Sequence, residues 1–202
     1  MQIFNADNLS FIMLGFAKTI EISFFAIIFS IIFGTVLAMV KQYCTGKLRP
    51  LSLLVSAYIE LFRCTPNLLW ILFIYFTVKG NDVMISVLAF TVFTSAVMAE
   101  IIRGGFNAIP KSQFEAAQSQ GFGFFSTIPA LFSQCTTVIK DSSYLAGINV
   151  AEFMYSTKVV MAQTSDLSQV LALYGFTFAL YFVLNFGISL IVRAYQRRVV
   201  AA

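Results

Sequence analysis

The chain has no histidine at all among its 202 residues. That removes imidazole general bases, the commonest metal ligand and every Ser-His or Cys-His dyad, so most enzymatic readings weaken at once. Charge is also scarce: nine acids and thirteen bases make up 11% of the residues. Cysteine is limited to Cys44, Cys64 and Cys135, an odd number of widely spaced residues in apolar surroundings. They match neither a disulfide framework nor a zinc spacing and are expected to serve as packing residues. No segment matches G-x-x-x-x-G-K-[ST]; Gly46-Lys47 lacks the earlier glycine and is followed by Leu48, so the chain is not expected to hydrolyse ATP itself. The first base is Lys18, after Asp7, so no cleavable signal peptide is expected, and Gln2 replaces the glycine that N-myristoylation requires. An intramembrane protease is equally unsupported, because Ser189 of Gly187-Ile188-Ser189 has no histidine to activate it.

What is present is apolar surface. Hydrophobic residues make up 59% of the chain, with twenty-three Phe and eight Tyr, and the mean hydropathy is +0.85. A soluble globule of this size cannot hide that much apolar area, whereas a bilayer accepts it. Charges and Pro/Gly clusters then mark where spans end. They predict one membrane domain over residues 1–202 with spans at about 11–40, 51–78, 83–102, 128–148 and 167–192, without internal repeats or low-complexity tracts. Thr65-Pro66 should kink or split the second span, and 150–166, with Glu152 and Lys158 flanking short apolar runs, reads as amphipathic or re-entrant. Lys18 and Glu21 are spaced to pair near the outer end of the first span.

The net charge of +4 is distributed by side, not as a nucleic-acid stripe. Lys41, Lys47, Arg49, Arg103, Lys111, Arg193, Arg197 and Arg198 fall on one side of this arrangement, against Lys18, Lys79, Lys140 and Lys158 on or towards the other. The positive-inside rule then predicts five spans with the N-terminus outside and the C-terminus in the cytoplasm.

Charged residues inside such a chain are expensive, about 2.5 to 3.5 kcal/mol each on insertion scales, so they should be paired and face the bundle or a cavity. Glu60 with Arg63, and Glu100 with Arg103, are each three residues apart and suited to pair on one helical face. Such pairs are either structural or line a route for a zwitterion, whose two charges need opposite partners. Lys140, Asp141, Ser142 and Ser143 are placed to break the fourth span and expose backbone groups to that route.

The loop at about 104–127 is the most polar stretch. Ser112 followed by Glu115 forms a capping box, Gly121 is placed to end the short helix, and Ala116 and Ala117 give it a small-residue face. By physics alone this is either a plain connector or a docking helix. The run Glu115-Ala116-Ala117, with Gly121 six residues after Glu115, resembles the EAA signature of ABC importer permeases. Tyr58-Ile59-Glu60-Leu61-Phe62-Arg63-Cys64-Thr65-Pro66, Ala99-Glu100-Ile101-Ile102-Arg103-Gly104-Gly105 and Lys140-Asp141-Ser142-Ser143 are similar, in that order, to segments of the polar amino acid permease family. The likeness runs from about Gly15 to Arg198.

This resemblance implies an all-α membrane protein with five transmembrane helices in the type I ABC importer permease arrangement. A short cytoplasmic coupling helix would lie between spans 3 and 4, with Glu115, Ala116, Ala117 and Gly121 contacting the ATPase. It further implies ATPase subunits that bind ATP and Mg, a second permease subunit, an extracytoplasmic amino-acid-binding protein and a bacterial cytoplasmic membrane, with no cofactor in this chain. Glu60, Arg63, Glu100, Arg103, Lys140, Asp141 and Ser142 are the expected translocation or gating residues. The chain departs from the pattern twice: Cys64 replaces the usual glycine, and Gly121–Thr127 runs straight into Ile128-Pro129, about a dozen residues short of the family's loop. The competing function is an ion-coupled secondary carrier or channel subunit using Glu60 or Glu100 as a proton or sodium site.

Overall fold

The computed structural model describes residues 2–107 and 128–200, and every regular element among them is helical. The α-helices are α1 (Ala6–Tyr43), α2 (Arg49–Arg63), α3 (Asn67–Thr77), α4 (Asp82–Asn107), α5 (Ile128–Asp141), α6 (Phe153–Met161) and α7 (Leu167–Val200). Short 3₁₀ segments cover Gln2–Phe4, Gly46–Leu48 and Ser142–Ile148. Of the loop expected at about 104–127, residues 104–107 belong to α4, and Glu115, Ala116, Ala117 and Gly121 lie outside the described residues.

Three helices, α1, α4 and α7, are long and apolar enough to cross a membrane. At 1.5 Å per residue the 38-residue α1 measures about 57 Å, well beyond the bilayer core. Asn5 starts it, its side chain accepting the Asn8 N–H at 2.7 Å, the usual N-cap role. Gly46, at φ +58°, turns the chain towards α2, a backbone conformation that glycine adopts without a steric penalty.

α3 has 11 residues, about 16 Å, too short to cross alone. It forms a broken pair with α2, bent by 105°. The break falls at Thr65-Pro66, as expected, because Pro66 has no N–H for the helix ladder. α1 and α4 run parallel: Lys41 near the end of α1 meets Glu100 near the end of α4, and Gln42 donates to Asn107 at 3.3 Å. The α2–α3 pair therefore returns the chain from the end of α1 to the start of α4. Asn81 begins α4, its side chain accepting the Val83 N–H at 2.9 Å.

Lipid tails give helices no hydrophobic reason to associate, so tight packing must do so. Ala26, Ser30, Gly34 and Ala38 form a buried four-residue repeat on α1. A Cβ at Gly34 would stand 2.7 Å from Met98 Cβ and 3.0 Å from the Ser95 carbonyl, and a Cβ at Gly15 only 2.8 Å from the Glu152 carbonyl. The backbones of α4 and α6 are thus pressed against α1. α4 is the central helix, with 72% of its most apolar stretch buried, against 6% for α7. Phe29, Phe33 and Val36 on α1 and Phe178, Phe182 and Ile191 on α7 face outward.

Three expectations need correction. The 150–166 segment is not a surface amphipathic element: α6 buries Phe153, Ser156, Thr157, Val160 and Met161 because it packs between α1 and α7. Cys64 is exposed, not a packing residue, since it follows the last turn of α2 and its thiol points along that helix to Glu60, 3.7 Å away. Glu60 and Arg63 do not pair, as set out below.

Candidate functional site

The first polar site stands at the ends of α1, α2 and α4. The Glu100 carboxylate accepts from Lys41 Nζ at 2.8 Å and from Arg103, whose Nη2 lies at 2.8 Å and Nε at 3.1 Å. Arg63 Nη1 approaches the same carboxylate at 3.8 Å. The expected Glu100–Arg103 pair is present within a larger cluster in which one acid serves three bases.

Arg63 thus leaves its helical neighbour Glu60, which is in no ion pair among the described residues. The reason is geometric. The bend after Cys64 brings the end of α2 against α4, where Glu100 is 85% shielded from solvent and already bonded, so it outcompetes an exposed carboxylate one turn away. Lys41, 59 residues from Glu100 in sequence, is the partner that sequence spacing does not reveal.

The second site lies where α5 gives way to the 3₁₀ segment. The α-helix stops at Asp141, and the 3₁₀ turns run to Asn149, which takes the left-handed conformation at φ 61°. Ser142 and Ser143 donate to the carbonyls of Ile139 and Lys140, each at 2.8 Å. Such back-bonding competes with the helix ladder and loosens this stretch. Asp141 accepts from Asn67 Nδ2 at 3.4 Å, tying the break to the first residue of α3.

Lys140 is exposed, in no ion pair among the described residues, and borders two grooves. One, of about 420 Å³, is lined by Lys140, Ser143, Met154, Tyr174, Thr177 and Tyr181. The other, of about 140 Å³, includes Lys140, Ser133, Thr136, Asn185 and Ser189. The seven expected route residues therefore divide into a group on Glu100 and a group at the α5 break, with Glu60 outside the ion pairs.

A third polar node went unassigned in the sequence. Glu152 is fully buried and caps α6, accepting the Tyr155 N–H at 2.7 Å and the Thr19 hydroxyl at 3.0 Å, while Thr19 accepts the Phe153 N–H at 3.1 Å. These reciprocal bonds fasten the start of α6 to α1. Glutamate is not among the usual N-cap residues, so neither its capping role nor its long-range partner Thr19 has a local signature.

Residues 30–201 match the family described as the binding-protein-dependent transport system inner membrane component. The chain belongs to that family. It is 29% identical to the probable glutamine ABC transporter permease of Bacillus subtilis strain 168, covering 96% of each chain. It is 25% identical to the glutamate/aspartate import permease of Escherichia coli O6:H1, covering 95% of this chain and 94% of that one. A solved structure, an amino acid ABC transporter with histidines, superposes with a TM-score of 0.82 at 25% identity over 94% of both chains. The MetNI methionine ABC transporter, at 16% identity and a TM-score of 0.74, shares the fold. The family is one of ABC importer membrane subunits, so the ion-coupled carrier or channel reading falls.

Proposed function

We propose that this family member carries a polar amino acid across the bacterial cytoplasmic membrane as one subunit of a permease pair, driven by separate ATPase chains that bind ATP and Mg. The observation that carries this reading is the end-to-end likeness to permeases named for glutamine and for glutamate/aspartate, over nearly the whole of each chain. An extracytoplasmic binding protein delivers the substrate. The chain contributes no cofactor.

Five crossings are supported by the path of the chain. α5 and its 3₁₀ extension lead from beyond the end of α4 to α6, which packs near the start of α1. α7 begins there too, with Phe176 against Phe4, and its length carries the chain back. Positive-inside charge then puts the N-terminus outside and the C-terminus in the cytoplasm. Five helices enclose no route alone, hence the second permease subunit, the same or a related chain.

In the route, Lys140 offers its ammonium to the substrate carboxylate, and Asp141 and the Ser142 region answer the substrate ammonium. The Glu100 cluster, with Arg63 and Arg103, works as the cytoplasmic gate because it joins three helices that must separate for the inward-open state. Glu60 stands by as the carboxylate to which Arg63 can move.

Glu115, Ala116, Ala117 and Gly121 dock in the ATPase. The aligned length with the Bacillus relative is 213 positions, more than this chain's 202 residues, in keeping with a shortened loop after Gly121. The test is affinity capture of an ATPase subunit by the purified chain, followed by screening amino acids for stimulation of its hydrolysis. Ala117→Trp should stay folded and membrane-inserted but lose the ATPase, because bulk there blocks close approach. A family-length insertion between Thr127 and Ile128 should strengthen association. Unchanged ATPase binding by Ala117→Trp would defeat the docking assignment.

A further inference from the structure

We propose that the crevice between α1, α2 and α4 binds an anionic phospholipid of the cytoplasmic leaflet, with an acyl chain in the crevice and the phosphate on the basic cluster around Glu100. The crevice has a volume of about 230 Å³ and is walled by Phe33, Val36, Leu37, Leu88 and Val92, with Tyr58 across it. Phe33, Val36 and Leu88 are exposed, so the crevice opens on the outside of this chain's helices, where an acyl chain can enter it.

Its polar side chains are already satisfied. The Tyr58 hydroxyl donates to the Val92 carbonyl, Ser95 donates to the same carbonyl at 3.0 Å, and Thr91 donates to Val87 at 2.7 Å. With every hydroxyl hydrogen of the wall committed and the remaining lining apolar, the cavity suits an alkyl chain better than water or a zwitterion. It differs in this from the groove beside Lys140.

Charge selects the headgroup. Phe33, Leu37 and Lys41 follow one another at four-residue intervals on one face of α1, so the crevice wall leads directly to an ammonium. On α4, Val92 and Glu100 are two turns apart, as are Ser95 and Arg103, about 12 Å. Lys41, Arg63 and Arg103 together face one carboxylate, so the cluster carries two positive charges in excess. Arg63 is the loosest member, at 3.8 Å and 43% exposed, and its guanidinium can take a phosphate in bidentate fashion. A zwitterionic headgroup would bring a further cation to an already cationic place. The leaflet rests on the orientation proposed above; the chemistry of the site does not, and the test involves no ATPase or transport.

The full-length chain is purified, exchanged into defined lipid, and its retained lipids are counted by native mass spectrometry with phosphatidylglycerol or phosphatidylcholine. Retention of phosphatidylglycerol should exceed that of phosphatidylcholine by about thirtyfold, from the two excess charges. Excess inorganic phosphate should not displace it, because the acyl chain supplies the remaining affinity; displacement would show a free-phosphate site and overturn the proposal. Val36→Trp, filling the crevice, should lose both lipids. Arg63→Gln should remove most of the preference while weakening phosphatidylcholine retention far less, because the choline cation already offsets the cluster's attraction for that lipid's phosphate; a merely structural role would weaken both lipids alike. If Val36→Trp fails to elute as a single species, Leu88→Trp fills the crevice from the α4 wall. Equal retention of the two lipids by the parent, or a preference that survives both the crevice-filling and the Arg63 variants, would overturn the site. A changed oligomeric state with unaltered lipid retention would give the crevice to a second copy of this chain instead.

Discussion

At the scale of single residues, the two glutamates that look alike in sequence are not equivalent in space. Glu100 holds Lys41, Arg63 and Arg103 from three helices, whereas among the described residues the Glu60 carboxylate accepts only from the Cys64 thiol. Replacing Glu100 by Gln leaves three bases in mutual repulsion at a partly shielded site. It should destabilise the protein by about 2 kcal/mol, in the range of hydrogen bonds to charged groups, and lower transport. Glu60→Gln should change stability by less than about 0.5 kcal/mol, as for an exposed residue away from special features. A double-mutant cycle sharpens the contrast: Glu100→Gln with Arg103→Gln should be strongly non-additive, and Glu60→Gln with Arg63→Gln nearly additive. Thermal unfolding in detergent measures both. Equal costs at the two glutamates would contradict the cluster. The intrahelical half of this network was legible from three-residue spacing; the rest was not, because Lys41 and Arg63 reach Glu100 only through the packing of α1 and α2 on α4.

At the scale of elements, the bends were legible and the contacts were not. Pro66 announces the break between α2 and α3 because a missing N–H is a local fact. The serines after Lys140 likewise announce the end of α5. The α1–α4 seam, by contrast, depends on which face of a long apolar helix meets its neighbour, and on α1 nearly every face is apolar. The small residues Ala26, Ser30, Gly34 and Ala38 settle that face only once α4 is seen against it. Their importance is testable at Gly34, where an added Cβ meets Met98 and the backbone of Ser95, and at Gly104 on α4, where nothing among the described residues lies within 4 Å. Gly34→Val should cost about 1 to 3 kcal/mol, the range for overpacking, and lower the yield of folded protein. Gly104→Ala should be neutral to slightly stabilising, since alanine is the better helix former. Similar melting temperatures for the two variants would show that the α1–α4 approach is looser than described. That the chain is an all-helical membrane protein needed no contact information, because the apolar run lengths carry it; the permease arrangement came from the resemblance.

At the scale of the whole molecule, one question fixes the meaning of every site: which ends of the helices face the cytoplasm. The parallel course of α1 and α4 puts Lys41, Glu100 and Arg103 at one end, and Lys18, Glu21, Asn81 and Val83 line a common groove towards the other. The loop bases divide along the same line, and the positive-inside rule is the ground for the proposed orientation, with the Glu100 end cytoplasmic. In the proposed orientation the Glu100 cluster would stand next to the ATPase, the Lys140 grooves on the path between the two faces, and Lys79 outside. Single cysteines at positions 47, 79 and 197 test it in intact cells and in inverted vesicles, using an impermeant thiol reagent. The background must first lose Cys44, Cys64 and Cys135, and above all the exposed Cys64, by replacement with serine or alanine. Positions 47 and 197 should react only from the cytoplasmic side and position 79 only from the opposite side. Reaction of position 79 from the cytoplasm would mean that α2 and α3 do not return the chain across the membrane. The Glu100 cluster would then be no cytoplasmic gate, and the five-crossing path would fail with it.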